Sequence, residues 1–219
     1  MLVVSPIVVL TIGEFFKCLN MSNNNIIVLS GKKGVGKDTI ANMISNYQIN
    51  AVMNMGVPFE KIELYTKLSF AKPIKEILSI VAREEVHTLD DFKDLSFLKR
   101  EGSNLSTDKT PRDLYKAIAD LFKKSLNDDI WVDILLDKLN EHKKAIITDM
   151  RFKNEYKALK ELNPIFVRVK RTLRYDPSKS EVDLDSFDDS YFDHIIENNG
   201  SEKELFLKVE EFCKKFNVI

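Results

Sequence analysis

The chain has 219 residues, enough for one compact α/β domain with a sizeable core. Its 33 Lys+Arg against 34 Asp+Glu leave no gross positive field, which argues against a protein that coats nucleic acid. Cys18 and Cys213 are too few for a disulfide framework or a four-ligand zinc site.

Residues 2–12 (LVVSPIVVLTI) are apolar but much shorter than the ~20 residues of a bilayer span. Pro6 interrupts them, and neither a basic leader nor a small-residue cleavage site is evident. Residues 1–24 are therefore expected to be an extension outside the core, with an extra edge strand or helix, or a membrane or export segment, as the alternatives. The folded domain is expected to start near Asn25.

Ile26–Ser30 (IIVLS) reads as a buried strand. A glycine-rich turn follows, then a helix from about Lys37 to Tyr47, with Ile40, Met43, Ile44 and Tyr47 on one face. Leu64–Phe70 reads as a second strand, and Pro73 opens a helix striped by Ile74, Ile77, Leu78 and Val81. Residues 83–109 are charged and irregular, an insertion long enough to suggest function or disorder. Thr110-Pro111-Arg112-Asp113 is a helix start: a cap, a proline at the first position and a first-turn carboxylate. Leu114, Ile118, Leu121 and Phe122 mark that helix's buried face. Another helix is expected over 129–141, a third strand over Ala145–Thr148 ending at Asp149, a helix over 154–162, and strands at Ile165–Val169 and His194–Glu197. Ser201 and Glu204 form a capping box for a last helix with Leu205, Val209, Phe212 and Phe216 on its apolar face. Strands alternating with helices predict an α/β fold with a parallel five-stranded sheet in three αβα layers. Ligands of such sheets gather at the carboxyl ends of the strands.

Three of the seven glycines fall within six residues, in Gly31-Lys32-Lys33-Gly34-Val35-Gly36-Lys37-Asp38-Thr39. Gly31, Gly36 and Lys37 meet the pattern G-x-x-x-x-G-K between a strand and a helix, the setting that gives this motif its meaning. Glycines let the backbone wrap an anion, amide N–H groups turn inward, and the helix N-terminus adds partial positive charge. Without an anion, Lys32, Lys33 and Lys37 would crowd cations at the end of a helix that disfavours them. Asp38 stands where Ser or Thr normally meets Mg²⁺, and Thr39 follows. Asp38 could bind magnesium through water or cap the helix, and it also reads as a plain first-turn carboxylate stabilised by the helix dipole.

The string GKKGVGKDT resembles the P-loop of phage-type deoxynucleoside monophosphate kinases. Further segments agree in family order across residues 26–207: Phe70-Ala71-Lys72-Pro73-Ile74-Lys75, Thr110-Pro111-Arg112, Asp129-Ile130-Trp131, and Asp149-Met150-Arg151-Phe152 with Asn154-Glu155. Ile195–Ser201 is similar to a loop shared with dephospho-coenzyme A kinases. Two places depart. Lys116, Ala119 and Asp120 replace the family's Q-x-x-G-T residues, which leaves the accepted base open, and Ser178-Lys179-Ser180-Glu181 lacks the lid histidine.

The resemblance implies a P-loop NTPase-type fold over 25–219, with an acceptor-side insertion at 83–109 and a short lid at 170–190. It implies ATP- and Mg²⁺-dependent phosphorylation of deoxynucleoside monophosphates in the cytoplasm, by a monomer or homodimer with no membrane and no stable nucleic-acid partner. Gly31, Lys33, Gly34, Val35, Gly36, Lys37, Asp38 and Thr39 would cradle the donor, with Asn198 and Gly200 edging its adenine through backbone groups, though Asn198–Ser201 also reads as a tight turn and cap. Asp38, Thr39 and Asp149 are the candidate metal holders, and Asp149 could instead orient the acceptor. Arg112 and Arg151 suit the acceptor phosphate because guanidinium groups pair with it bidentately. Lys75 and Glu155 join the acceptor side by the same resemblance. Trp131 stacks on a base or packs in the core. Among Arg168, Arg171 and Arg174, Arg171 is the choice for transferred phosphate, and Arg168, inside a strand, for a structural pair. Lys37, Asp149, Arg151 and Arg171 make the catalytic set. His87, His142 and His194 have no ligand-like spacing. Two other readings stay open: another small-molecule kinase, such as a dephospho-coenzyme A kinase, and a nucleotide-binding module without transfer chemistry.

Overall fold

A computed structural model describes residues 25–54, 63–82, 111–172 and 186–218. The expected extension at 1–24, the insertion at 83–109, the Thr110 cap, Arg174 and most of the lid segment lie outside these. The chain divides into two compact units, one made of Met1–Lys67 with Lys143–Ile219 and the other of Leu68–His142.

The first unit is built on β1 (Ile26–Ser30), α1 (Lys37–Asn54), β2 (Thr66–Leu68, whose last residue begins the second unit), β3 (Ala145–Met150), α5 (Lys153–Lys160), β4 (Ile165–Lys170), β5 (His194–Glu197) and α6 (Glu202–Lys215). The second holds α2 (Lys72–Ala82), α3 (Pro111–Ser125) and α4 (Ile130–Asn140). The five strands run in the order β2-β3-β1-β4-β5. β1 pairs in parallel with β3 and β4, and β4 with β5. This is an α/β sheet, with the glycine-rich turn leaving its central strand.

Strand alternation sets the layers. Ile27 and Leu29 of β1 and Val167 and Val169 of β4 join one buried cluster with Ile40 and Ile44 of α1 and Leu205, Val209 and Phe212 of α6. Phe166, one position out of step, meets Tyr156 of α5 on the opposite face, ring centroids 4.6 Å apart. Helices thus cover both faces, and β1, buried at every position, reads as an unbroken apolar run for that reason.

Helix α1 runs on to Asn54, past the predicted end at Tyr47. Gln48 hid the continuation, since it is a polar residue fully buried in the stripe. Its Oε1 accepts from Tyr65 N at 2.9 Å and its Nε2 donates to the Glu63 carbonyl at 2.9 Å. The same bonds explain why β2 starts at Thr66 rather than Leu64, since backbone groups of Glu63 and Tyr65 are spent on an amide side chain, and at its other end Ser69 O accepts from Lys72 N at 3.3 Å, in the turn into α2. In α3, Leu121 is exposed rather than buried. The half-buried face centres on Tyr115, Ile118 and Phe122, leaving Leu121 about 100° round the helix from Phe122. Ser201 and Glu204 cap α6 as expected, and among the described residues no helix is long and apolar enough to cross a membrane.

Candidate functional site

The connection leaving β1 runs toward the β2 side of the sheet and that leaving β4 toward β5, so their carboxyl ends form the switch point at which such sheets bind ligands. The turn Gly31–Gly36 occupies this place and leads directly into α1. Gly34 and Gly36 have φ of 80° and 98°, the left-handed region that side chains avoid. Gly31 is required by proximity as well, since an added Cβ would overlap the Val169 carbonyl of β4. Val35 is buried in the cluster beneath and anchors the turn to the core.

Lys37 is only 8% exposed. Its Nζ donates to the carbonyls of Gly31 at 2.6 Å and Lys32 at 2.9 Å. The charge therefore sits at the turn, held by main-chain oxygens, at the positive end of a helix dipole. That is an expensive position for a cation and a prepared one for an anion. Asp38 and Thr39 are exposed on the first turn of α1.

β3 brings the second group. It lies beside β1, with Ser30 in register with Met150 across a local irregularity, and Ser30 Oγ donates to the Met150 carbonyl at 3.0 Å. Asp149 and Arg151, both half-buried, therefore stand at the carboxyl edge beside the strand that opens the turn. Asp149 falls inside the strand rather than after it.

Glu155, expected on the acceptor side, has another employment in this structure. It is 6% exposed, and its Oε2 accepts from the backbone N–H groups of Arg151 at 2.7 Å and Phe152 at 3.0 Å. It holds the bend that carries Arg151, through the reciprocal half of a capping box.

The loop after β5 supplies a contact that the sequence did not reveal. Asn198, 8% exposed, donates from Nδ2 to the Val35 carbonyl at 2.8 Å. Its own backbone N–H donates to Lys170 O at 2.7 Å, and Asn199 Oδ1 accepts from Thr172 N at 2.8 Å. Gly200 lies so close to the Glu204 carboxylate that a Cβ there would overlap it. The Ser201 N–H and hydroxyl hold Glu204 below the usual carboxylate range.

Arg168 and Arg171 differ in their surroundings. Arg168 donates from Nη1 to the Phe187 carbonyl, lies 3.8 Å from Asp189 and sits over the Phe192 ring at 5.2 Å. It ties down the segment that returns to β5. Arg171 is exposed where the chain leaves β4.

Lys75, Arg112 and Trp131 belong to the second unit. Lys75 is half-buried in the first turn of α2, and Arg112 stands in the first turn of α3. Trp131 is 5% exposed, donates from Nε1 to Ala119 O at 3.3 Å and meets Phe122 at 5.3 Å between centroids. Of its two readings, packing accounts for these contacts.

No family model matches the chain, and no curated protein matches it. Among solved structures, the chain is similar to an unliganded sugar kinase from Janibacter sp. HTCC2649, at 10% identity over 89% of this chain and 95% of that one, with a TM-score of 0.41. It is also similar to dephospho-CoA kinase from Campylobacter jejuni, at 15% identity over 89% of this chain and 98% of that one, with a TM-score of 0.45. Likenesses of this degree carry nothing about substrate.

Proposed function

We propose that the protein is a small-molecule kinase that moves the γ-phosphoryl group of ATP to a deoxynucleoside 5′-monophosphate. An acceptor phosphate oxygen bonds to the γ-phosphorus, the bond from that phosphorus to the β,γ-bridging oxygen breaks, and ADP leaves. The observation that carries the donor side is the Lys37 ammonium, buried in a turn whose glycines leave no room for side chains. The acceptor side rests on the ordered sequence motifs that contribute Lys75, Arg112, Asp149 and Arg151.

A polyphosphate fits this turn: N–H donors at a helix start, a cation within reach, and no Cβ in the way at Gly31 or Gly36. Lys37 would exchange carbonyl partners for β- and γ-oxygens. Among the described residues there is no group of three or more His, Cys, Asp or Glu side chains that could hold a metal. The fit is instead to Mg²⁺ held by one or two carboxylates and the nucleotide's own phosphates, with Asp149 and Asp38 or Thr39 on the protein side. When bound, Mg²⁺ neutralises charge developing on the β- and γ-oxygens. Arg151, in the bend fixed by Glu155, is one candidate for the acceptor phosphate and Arg112, by its sequence motif, another, with Arg171 the candidate arginine for the transferred group. Adenine would lie along the backbone of Asn198–Gly200.

A coupled ADP-release assay across dAMP, dCMP, dGMP, dTMP and their ribose counterparts tests this reading. It predicts ADP formation dependent on at least one deoxynucleoside monophosphate, with the diphosphate recovered as product. Release only with another acceptor, such as dephospho-coenzyme A, would replace the proposed substrate. ATP binding without any diphosphate product would remove the transfer chemistry.

A further inference from the structure

We propose that Asn198 is a positioning residue whose side-chain amide sets the orientation of the Val35–Gly36 peptide and so keeps the turn able to bind phosphate. The proposal rests on the phosphate-binding reading of the turn and adds a side-chain role to a residue otherwise assigned only backbone contacts. A peptide unit is planar and trans, so its C=O and N–H point in opposite directions. Asn198 Nδ2 draws the Val35 carbonyl toward the loop after β5, which turns the Gly36 N–H the other way. If this peptide rotated by half a turn, a carbonyl would take the place of that donor and repel an anion.

The peptide needs such a brace. Gly36, with φ of 98°, lacks the Cβ that elsewhere selects one backbone region over its mirror image. The nearest main-chain bond across the turn, from Val35 N to Lys32 O, is long at 3.5 Å, at the outer limit of a useful hydrogen bond. Asn198 also fills the space where a Gly36 side chain would stand, since a Cβ there would lie 2.5 Å from Nδ2.

The loop bearing Asn198 is fixed enough to act as the anchor. The Asn198 N–H is held by Lys170 O, Asn199 by Thr172 N, the Glu197 carbonyl by Lys208 Nζ at 2.6 Å, and Ser201 by its reciprocal bonds with Glu204. The brace spans 163 positions of sequence and joins the first strand's turn to the last strand's.

Equilibrium binding of inorganic tripolyphosphate and of ATP to wild type and Asn198→Asp tests the role. At pH 8 the aspartate is ionised and donates nothing to Val35. Both ligands should then bind about ten-fold more weakly than to wild type, equivalent to ~1.4 kcal/mol. As pH falls toward 5, the protonated carboxyl regains a donor, and the ratio of variant to wild-type affinity should return toward one. Taking the ratio at each pH removes the ligand's own titration. A carboxylate beside the turn also repels an anion by charge alone, so Asn198→Ser, uncharged and too short to reach the carbonyl, must weaken both ligands as well, without pH recovery; wild-type affinity in that variant would overturn the brace. Loss of ATP affinity with tripolyphosphate affinity intact would overturn the proposal in favour of an adenine contact. Unchanged affinity for both would overturn it outright. Wild type that binds neither ligand would refute the phosphate reading itself, and the brace with it.

Discussion

Lys37 turns its Nζ onto the carbonyl oxygen of Gly31, 2.6 Å away, in a turn where the lysine side chain is almost wholly buried. The ammonium is held ready by the loop it would serve. Lys37→Ala is expected to lower kcat by at least about a hundred-fold, in line with the loss of a preorganised charge at the reacting phosphates. Far-UV circular dichroism should be unchanged. Steady-state ADP release and a thermal melt, measured on the same preparation, check both halves, and retained turnover would refute the donor assignment.

Glu155 accepts two backbone N–H groups on the approach to α5. Removing it takes the acceptor from two part-buried donors, at up to about 1–3 kcal/mol for an unsatisfied group. Glu155→Ala should lower stability by that order in urea denaturation and reduce turnover by loosening the Arg151 bend. Glu155→Gln keeps an acceptor oxygen and should lose less than about half as much. Equal loss in both variants would point to a role for the charge rather than the hydrogen bonds.

Gly31→Ala tests how closely the turn lies against β4. The added methyl overlaps a main-chain carbonyl at Val169, which has no rotamer by which to yield. A loss of about 1–3 kcal/mol, typical of forced overpacking, is expected in urea denaturation, together with weaker nucleotide binding. A neutral substitution would mean that the turn stands away from the sheet.

Much of this arrangement was legible in the residues alone, because its signals are local. The apolar run of β1, the glycines and lysine of the turn, and the Ser201–Glu204 box each depend on neighbours a few positions away. Gln48 shows where such reading stops. A glutamine ends an apolar stripe on paper, and only the far segment carrying Glu63 and Tyr65 explains its burial. Asn198 is the same case at longer range, since its partner Val35 belongs to the other end of the chain. Glu155 differs again. Its spacing after the strand resembles a functional motif, yet Phe152 at the cap position offers no acceptor, so the carboxylate reaches back alone. Trp131 had two physical readings that sequence could not separate, and its bond to Ala119 and tilted ring contact with Phe122 belong to packing.

His194 predicts a pH dependence of stability. Its ring packs beside Phe212 and Phe216, and its pKa is lowered first by burial and then by Lys215, with Glu211 opposing. The unfolded chain takes up a proton near the ordinary histidine value of about 6.5, whereas the folded chain resists doing so. The unfolded state thus binds more protons in this window, and stability falls as pH drops from the ordinary value through the depressed one. Urea midpoints at pH 8 and pH 5.5 should show wild type losing more stability than His194→Gln over that interval. Equal losses in the two proteins would contradict the assignment.

Amide chemical shifts measured on the isotopically labelled protein give the most direct view of the phosphate-binding turn. Titration with ADP is expected to shift the backbone N–H signals of Gly34, Val35, Gly36 and Lys37 most strongly, with adenosine at the same concentration leaving them in place. Nucleotide binding that perturbs a different surface and leaves these four amides unmoved would contradict the account at its centre.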